Sequence, residues 1–144
     1  MVLHDEDRQD CKKLKGRLEK IARDAGLTTQ SRRRRDRAYQ VLNRIVVEEL
    51  EAWFFGDVPA LVKAYPHVPL TLGERARFRD PDAIKGGTWE ALERVLQEAG
   101  YYPRGLPKIE TARSISAHMD PDRNTSRSFH LLRDSLRTLV TQRP

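Results

Sequence analysis

The sequence predicts a single α/β domain with a short parallel sheet near its N-terminus and a mostly helical C-terminal half. Two segments rich in apolar and β-branched residues each precede a helical segment, which is the order of a strand, helix, strand unit. Beyond them, apolar residues recur at helical spacing to the end of the chain. The length of 144 residues suits one domain.

The first strand is predicted at Met1–His4, where an apolar run leads directly into acidic residues. A helix is predicted from there to Gly26, because glycine suits the left-handed position that follows a helix. The apolar residues of this segment share one face of a helix. They are Leu14, Leu18, Ile21, Ala22 and Ala25.

The second strand is predicted at Tyr39–Val47, which is rich in aromatic and β-branched residues. Acidic residues follow at positions 48, 49 and 51 and suit the first turn of a new helix. Residues 28–37, which precede this strand, are polar and include the basic run Arg32–Arg35. Mutual repulsion within that run predicts a solvated loop.

Capping residues and apolar periodicity predict further helices in the C-terminal half. Asp57 is predicted to cap a helix that runs to Tyr65, and two others begin at Thr88 and Pro107. The last helix is predicted at 126–140. Its apolar side is expected to consist of Phe129, Leu132, Leu136, Leu139 and Val140.

Composition excludes several classes of protein. The formal net charge is +6, which favours partners that carry phosphate. No apolar run approaches the ~20 residues that span a bilayer, and the N-terminus lacks the basic stretch and apolar core of a secretory signal. The single cysteine, Cys11, excludes an internal disulfide and a zinc site built on cysteine pairs. We therefore expect a cytoplasmic protein.

Carboxylates follow both predicted strands. Asp5 and Asp7 come directly after the first strand, and Glu49 and Glu51 come after the second. The carboxyl ends of neighbouring parallel strands meet at one edge of a sheet, and carboxylate oxygens are preferred ligands of Mg²⁺. The alternative is structural, with Asp7 as the N-cap of the first helix and the glutamates as a solvated helix start. The two clusters together favour a site for a divalent cation.

The residues that carry this pattern resemble the bacterial domain of unknown function family 4276, and the likeness covers nearly the whole chain. The matching segments are Leu3-His4-Asp5-Glu6-Asp7-Arg8, Asp10-Cys11, Leu14-Lys15, Glu49-Leu50-Glu51-Ala52-Trp53-Phe54, Gly56-Asp57, Tyr101-Tyr102-Pro103, Pro107-Lys108 and Asn124-x-Ser126-x-Ser128-Phe129.

The resemblance implies a Toprim-like fold, similar to the nucleases of overcoming-lysogenization-defect proteins. By that resemblance Asp5, Asp7, Glu49 and Glu51 would hold Mg²⁺ or Mn²⁺ for work on nucleic-acid phosphodiesters. It also implies an AAA-type ATPase as partner and a defence-associated setting. The sequence carries no Walker-type glycine loop, so we expect ATP hydrolysis to be the partner's task.

One departure from the family bears on catalysis, since the first Toprim glutamate that the resemblance implies would be missing and the isolated chain could be inactive. Its members usually begin with a strand, a Val-Glu-Gly-type turn and a helix, all of which would precede Met1. We therefore expect residues 1–144 to form a single, N-terminally truncated Toprim-like domain with a partial sheet of about two strands. Such a sheet would expose an edge that invites pairing with another chain, including a second copy. The alternative to a nuclease module is a non-catalytic interaction subunit of an AAA-type ATPase.

Basic residues are the remaining candidates for ligand binding. Arg32, Arg33, Arg34 and Arg35 could follow a phosphate backbone, although such runs are often merely solvated. Lys85 and Lys108 could face phosphate or pair with nearby acids. Ser128 has no Gly-x-Ser-x-Gly surroundings, so a polar or capping role is predicted for it rather than a nucleophilic one.

Overall fold

The computed structural model describes residues 1–6, 9–33, 38–47 and 49–141. Two strands and six helices are found there, together with three short 3-10 turns at Gln30–Arg32, Leu70–Glu74 and Pro81–Ala83. In chain order they are β1 (Val2–Asp5), α1 (Cys11–Asp24), β2 (Asn43–Val46), α2 (Ala52–Phe55), α3 (Val58–Ala64), α4 (Thr88–Glu98), α5 (Lys108–Ser116) and α6 (Arg127–Thr141). The predicted fold class, an α/β chain with a two-stranded parallel sheet and a mostly helical remainder, is confirmed.

The sheet pairs β1 with β2 in parallel, from Val2 opposite Asn43 to Asp5 opposite Val46. Helices α1 and α6 both pack against β2. Neighbouring side chains of a strand point to opposite faces. Asn43 bonds to Glu19 of α1, and Arg44 bonds to Ser135 of α6. The two helices therefore cover opposite faces of β2.

Helix α1 begins at Cys11, which is too late in the chain for Asp7 to be its N-cap, as the structural alternative proposed. The cap is Asp10, whose carboxylate accepts the backbone N–H groups of Lys12 and Lys13. Asp7 itself lies outside the described residues. The predicted end is confirmed, since Gly26 follows the helix with φ 73°. Only Leu14 and Ala22 of the predicted apolar face are buried, whereas Ile21 is 59% exposed.

The segment before β2 differs from both predictions for it. The strand is shorter than the predicted Tyr39–Val47. Residues 39–42 precede it, and regular pairing with β1 starts at Asn43. The preceding segment is not wholly a solvated loop, since Thr29 is buried and forms a parallel bridge with Val41. The physical reason is that Thr29 can place its hydroxyl on Glu19 while its backbone pairs with the incoming strand.

Glu19 links α1 to this region. Its side chain is 12% exposed and pairs with Lys15 at 3.1 Å. Its carboxylate also accepts bonds from Asn43 at 3.0 Å and from the hydroxyls of Ser31 and Thr29. Burial opposes ionisation, but these hydrogen bonds outweigh it and lower the pKa of Glu19 to about 2. The charged form of Glu19 therefore stabilises the fold.

The larger core lies in the C-terminal half, where α2, α3, α4 and α5 enclose a cluster of apolar side chains. Phe55 stacks on Phe78 with ring centres 4.9 Å apart. Asp57 is fully buried at the start of α3 and accepts the N–H of Ala60, which confirms its predicted capping role. The same carboxylate pairs with Arg123 at 2.7 Å and so ties α3 to the segment before α6.

Gly56 permits a close approach between α2 and that segment. A Cβ at Gly56 would overlap the amide oxygen of Asn124 and lie 3.1 Å from the backbone nitrogen of Ser126. Asn124 cannot move aside easily, because it donates to the carbonyl of Trp53 at 2.7 Å and accepts from Ser126 at 2.9 Å. The Thr125 N–H donates to the Gly56 carbonyl at 2.8 Å. Together these bonds form a clasp of Gly56, Asn124, Thr125 and Ser126.

Helix α6 occupies Arg127–Thr141, close to its predicted range, but its buried face differs from the predicted one. The buried residues are Ser128, Leu132 and Ser135. Leu136 is 39% exposed and Val140 is 72% exposed. Hydrogen bonds explain the difference, because Arg44 of β2 and Asp82 draw the serine-bearing side of the helix inward.

Replacing Gly56 with alanine is expected to destabilise the protein by roughly 1–3 kcal/mol, because the added methyl group overpacks the clasp. Gly16→Ala is the matched control, since nothing lies within 4 Å of a Cβ in that helical position. It should stabilise the protein by roughly 0.5–1 kcal/mol. Urea unfolding of the two variants measures both effects, and equal effects would contradict the role of the clasp.

Acid is expected to weaken the fold through Glu19. A pKa lowered to about 2 in the folded state gives stability that is present above the unfolded value near 4.5 and is lost as pH falls towards 2. Glu19→Gln should therefore cost on the order of 2–3 kcal/mol at neutral pH and flatten the decline between those pH values. Urea unfolding as a function of pH measures this. Asp24→Asn, in an exposed pair with Lys20, should cost less than ~1 kcal/mol.

Candidate functional site

The described carboxylates that follow the two strands lie at the same end of the sheet. Asp5 ends β1 opposite Val46, the last residue of β2. Glu49 and Glu51 follow Val46 within the turn that leads into α2. Because the two strands are parallel, the acidic residues that follow them lie at the same carboxyl edge of the sheet. We refer to Asp5, Glu49 and Glu51 as the carboxylate end.

Glu51 is a partly buried residue of the carboxylate end. Burial raises the pKa of its carboxyl, and the negative charges of Glu49 and Asp5 add to this effect. The positive charge of Lys108 opposes it. Like charges and partial burial both disfavour the ionised form of a carboxyl group. The three carboxylates and Lys108 therefore share one electrostatic environment.

Glu49 is held by the start of α4. Its Oε2 atom accepts the backbone N–H of Trp89 at 2.8 Å and the hydroxyl of Thr88 at 3.1 Å. A negative charge is stabilised at a helix N-terminus, where unpaired N–H groups and the helix dipole act together. Gly87, which precedes the helix, makes no side-chain cap of its own. Glu49 therefore supplies from a distant position the cap that the local sequence of α4 lacks.

Lys108 lies at the first residue of α5, and its ammonium group sits 4.1 Å from the centre of the Trp89 ring. This cation–π contact places a positive charge beside the residue that Glu49 caps. Lys108 is exposed, as is Lys85, which lies between the Pro81–Ala83 turn and α4. Both lysines are thus open to solvent on segments next to the start of α4.

The carboxylate oxygens suit a hard divalent cation chemically. Among the residues that the structure describes, however, no group of three or more His, Cys, Asp or Glu side chains is close enough to hold a metal ion. Asp7, the fourth predicted ligand, lies outside those residues. Asp5 and Glu49 act electrostatically on Glu51, but the three carboxylates do not form a metal centre among the described residues.

The described residues of the arginine run, Arg32 and Arg33, lie away from the carboxylate end. Arg32 ends the 3-10 turn next to the bridge between Thr29 and Val41, which precedes the first residue of β2. Arg33 lies over the ring of Tyr39 at 5.5 Å. Arg34 and Arg35 lie outside the described residues. This end of the sheet is separated from the carboxyl edge by β2, whose four residues span roughly 13 Å.

A buried polar cluster at the start of α6 was not predicted as a unit. Asp82 accepts the hydroxyl of Ser126 at 2.8 Å, and the N–H and hydroxyl of Ser128 at 2.9 and 3.0 Å. The indole N–H of Trp53 donates to Ser128 at 2.8 Å. The signal in the sequence was the spacing of Asn124, Ser126 and Ser128, but nothing local indicated Asp82 as their partner. The predicted polar role of Ser128 is structural, as these bonds fix α6 beside α2.

Comparison with known families adds one match. Residues 1–137 match the model of the family described as Domain of unknown function (DUF4276). The chain belongs to this family. No curated protein and no solved structure matched it. Within the described part of this DUF4276 chain, no helix is both long and apolar enough to cross a membrane.

The two glutamates are expected to affect stability in opposite directions. Glu49→Gln should cost on the order of 1 kcal/mol, because it weakens a charged helix cap. Glu51→Gln should be neutral or stabilising, because the uncharged amide avoids the repulsion and burial that disfavour its carboxylate. Urea unfolding at neutral pH in EDTA gives both values. A loss of stability in Glu51→Gln as large as that in Glu49→Gln would contradict this assignment.

Proposed function

We propose that the chain is a metal-dependent module that acts on nucleic-acid phosphodiesters. The observation that carries this proposal is the partly buried carboxyl of Glu51, which lies in the field of Glu49 and Asp5 at the carboxyl edge of a parallel sheet. Such an arrangement carries repulsion that a divalent cation would relieve. The net charge of +6 supports a polyanionic substrate.

In this proposal Asp5, Glu49 and Glu51 contribute oxygen ligands to Mg²⁺ or Mn²⁺, and Asp7 completes the set from the adjoining segment. A bound cation of this kind polarises a phosphoryl oxygen. Lys85 and Lys108 lie on exposed segments beside the start of α4 and would attract the phosphate. The arginine run Arg32–Arg35 remains a prediction for nucleic-acid contact, as do the ATPase partner and the defence-associated setting.

Cation binding is expected to raise the unfolding temperature, since a ligand that binds only the folded state stabilises it. Titration with Mn²⁺, followed by thermal unfolding and by calorimetry, measures the affinity. The double variant Asp5→Asn, Glu51→Gln should bind at least about tenfold more weakly, because it removes two charged ligands. In the same titration the control variant Glu98→Gln, at the far end of α4, should bind Mn²⁺ with the wild-type affinity.

Activity is tested with supercoiled plasmid and with single-stranded DNA in the presence of Mn²⁺. We expect nicking that EDTA abolishes and that the same double variant lacks. Equal nicking by the wild type and the double variant would remove these carboxylates from the reaction. Absence of both Mn²⁺ binding and nicking in the wild type would overturn the proposal.

A second candidate is a non-catalytic interaction subunit of an AAA-type ATPase. The observation that favours it is the structural use of Glu49, which already caps α4 through Thr88 and Trp89. This candidate predicts that the chain co-purifies with the ATPase and that Mn²⁺ does not change its unfolding temperature. The calorimetric titration therefore separates the two candidates.

A further inference from the structure

Three arginines crowd a short segment that the proposed site does not use. Arg75, Arg77 and Arg79 alternate with Ala76 and Phe78 between the Leu70–Glu74 and Pro81–Ala83 turns, and all three arginines are exposed. We call residues 75–79 the arginine loop. It places three guanidinium groups on one stretch of surface that is five residues long.

The arginine loop is held to the core. Phe78 is 7% exposed and stacks on Phe55, with the ring planes only 4° apart. The Phe78 N–H donates to the carbonyl of Arg75 at 2.9 Å, and the Arg79 guanidinium donates to the carbonyl of Glu74 at 3.2 Å. The guanidinium of Arg77 lies 5.5 Å from the centre of the Phe78 ring. These contacts restrain the side chains of Arg77 and Arg79, which lowers the entropic cost of binding a ligand there.

Acids flank the arginine loop, with Glu74 before it and Asp80 after it, but they do not form ion pairs with its arginines. None of the ion pairs found in the described part of the chain includes Arg75, Arg77 or Arg79. Other arginines are paired, as Arg137 is with Asp122. Asp80 directly follows the loop but uses its carboxylate to accept the N–H of Asp82. Local acids thus leave the three guanidinium groups available to an external anion.

A recess of about 200 Å³ lies beside the arginine loop and is lined by Arg75, His67 and Glu98, among others. The exposed ring of His67 stacks on Tyr101, with ring centres 5.3 Å apart. An exposed flat ring beside a cation, here His67 beside Arg75, is a combination that suits single-stranded nucleic acid, where bases stack and phosphates meet positive charge. A duplex keeps its bases stacked inside and cannot use such a ring in this way.

The arginine loop is linked to the carboxylate end through the start of α4. From Arg79 it runs through Asp82, which is bonded to α6, to exposed Lys85 and then to Thr88, which donates to Glu49. Lys85 is three residues from Thr88, so their Cα atoms are at most about 11 Å apart. Lys85 therefore lies between the arginine loop and the start of α4, whose Thr88 and Trp89 donate to Glu49.

We propose that the arginine loop and the recess beside His67 bind single-stranded nucleic acid and direct its backbone past Lys85 towards the carboxylate end. This inference deepens the proposed function and rests on it for the reaction that follows binding. Arg75, Arg77 and Arg79 contact phosphates, and His67 stacks on a base.

Binding is measured by fluorescence anisotropy of labelled oligo(dT) with the full chain in EDTA, over a range of salt concentrations. The triple variant Arg75→Gln, Arg77→Gln, Arg79→Gln should bind at least about tenfold more weakly and should lower the slope of log affinity against log salt by roughly 2. His67→Ala should weaken oligo(dT) binding roughly fivefold or more and leave binding of a duplex of equal length unchanged.

The control variant Arg17→Gln, Arg23→Gln, Arg137→Gln has the same loss of net charge and should keep the wild-type salt slope. Equal losses in the two triple variants would overturn the proposal, as would competition by polyglutamate as strong as that by oligo(dT), which would indicate an acidic protein partner. If the test variant does not fold by circular dichroism, Arg77→Glu alone must weaken binding, and unchanged binding overturns the proposal.

The assay needs neither metal nor cleavage. Oligo(dT) binding that depends on the arginine loop, combined with neither Mn²⁺ binding nor Mn²⁺-dependent nicking, would refute the proposed function but not the binding role of this surface. Nicking that depends on the carboxylates, with no effect of the arginine loop on binding, would refute only the surface.

Discussion

The clasp between α2 and the segment before α6 is the contact on which the rest of the structure depends. Gly56 lets Asn124 approach the backbone of α2, where its amide bonds to the carbonyl of Trp53. The neighbouring carboxylate of Asp57 is fully buried and receives Arg123. A buried polar group is costly without partners, so these bonds leave few alternative placements for α6. The N-terminal sheet and the C-terminal core are joined through them.

This clasp also sets the position of the carboxylate end. The turn that carries Glu49 and Glu51 runs from β2 to α2, and α2 is fixed by the bond from Trp53 to Ser128. At its other side, Glu49 accepts two bonds from the start of α4. The turn is therefore held from both α2 and α4. Partial burial of Glu51 follows from that restraint, and the carboxylates that act on it are Glu49, two residues earlier, and Asp5 of β1.

Charge is divided among separate parts of the molecule. Carboxylates gather at the carboxyl edge of the sheet, whereas the described residues of the arginine run lie before β2. The arginine loop is attached instead to the C-terminal core by Phe78. The chain runs from the loop to the start of α4, which donates two hydrogen bonds to Glu49 of the carboxylate end. The acids of the carboxylate end would repel a polyanion bound at the arginine loop unless a bound cation offset their negative charge.

Local signals determined much of this fold. Asp57 as a cap, Gly26 after α1, the start of α4 at Thr88 and the parallel strand, helix, strand order all followed from short-range preferences and apolar periodicity. The convergence of Asp5, Glu49 and Glu51 was predictable too, because parallel strands share a carboxyl edge. Only the tertiary structure decided what the side chains bond to. Glu49 caps a helix about 40 residues away, Asp82 secures the serines of α6, and Leu136 stays exposed while Ser135 is buried. These outcomes depend on hydrogen bonds between segments distant in sequence, and such bonds leave no periodic pattern in the sequence itself.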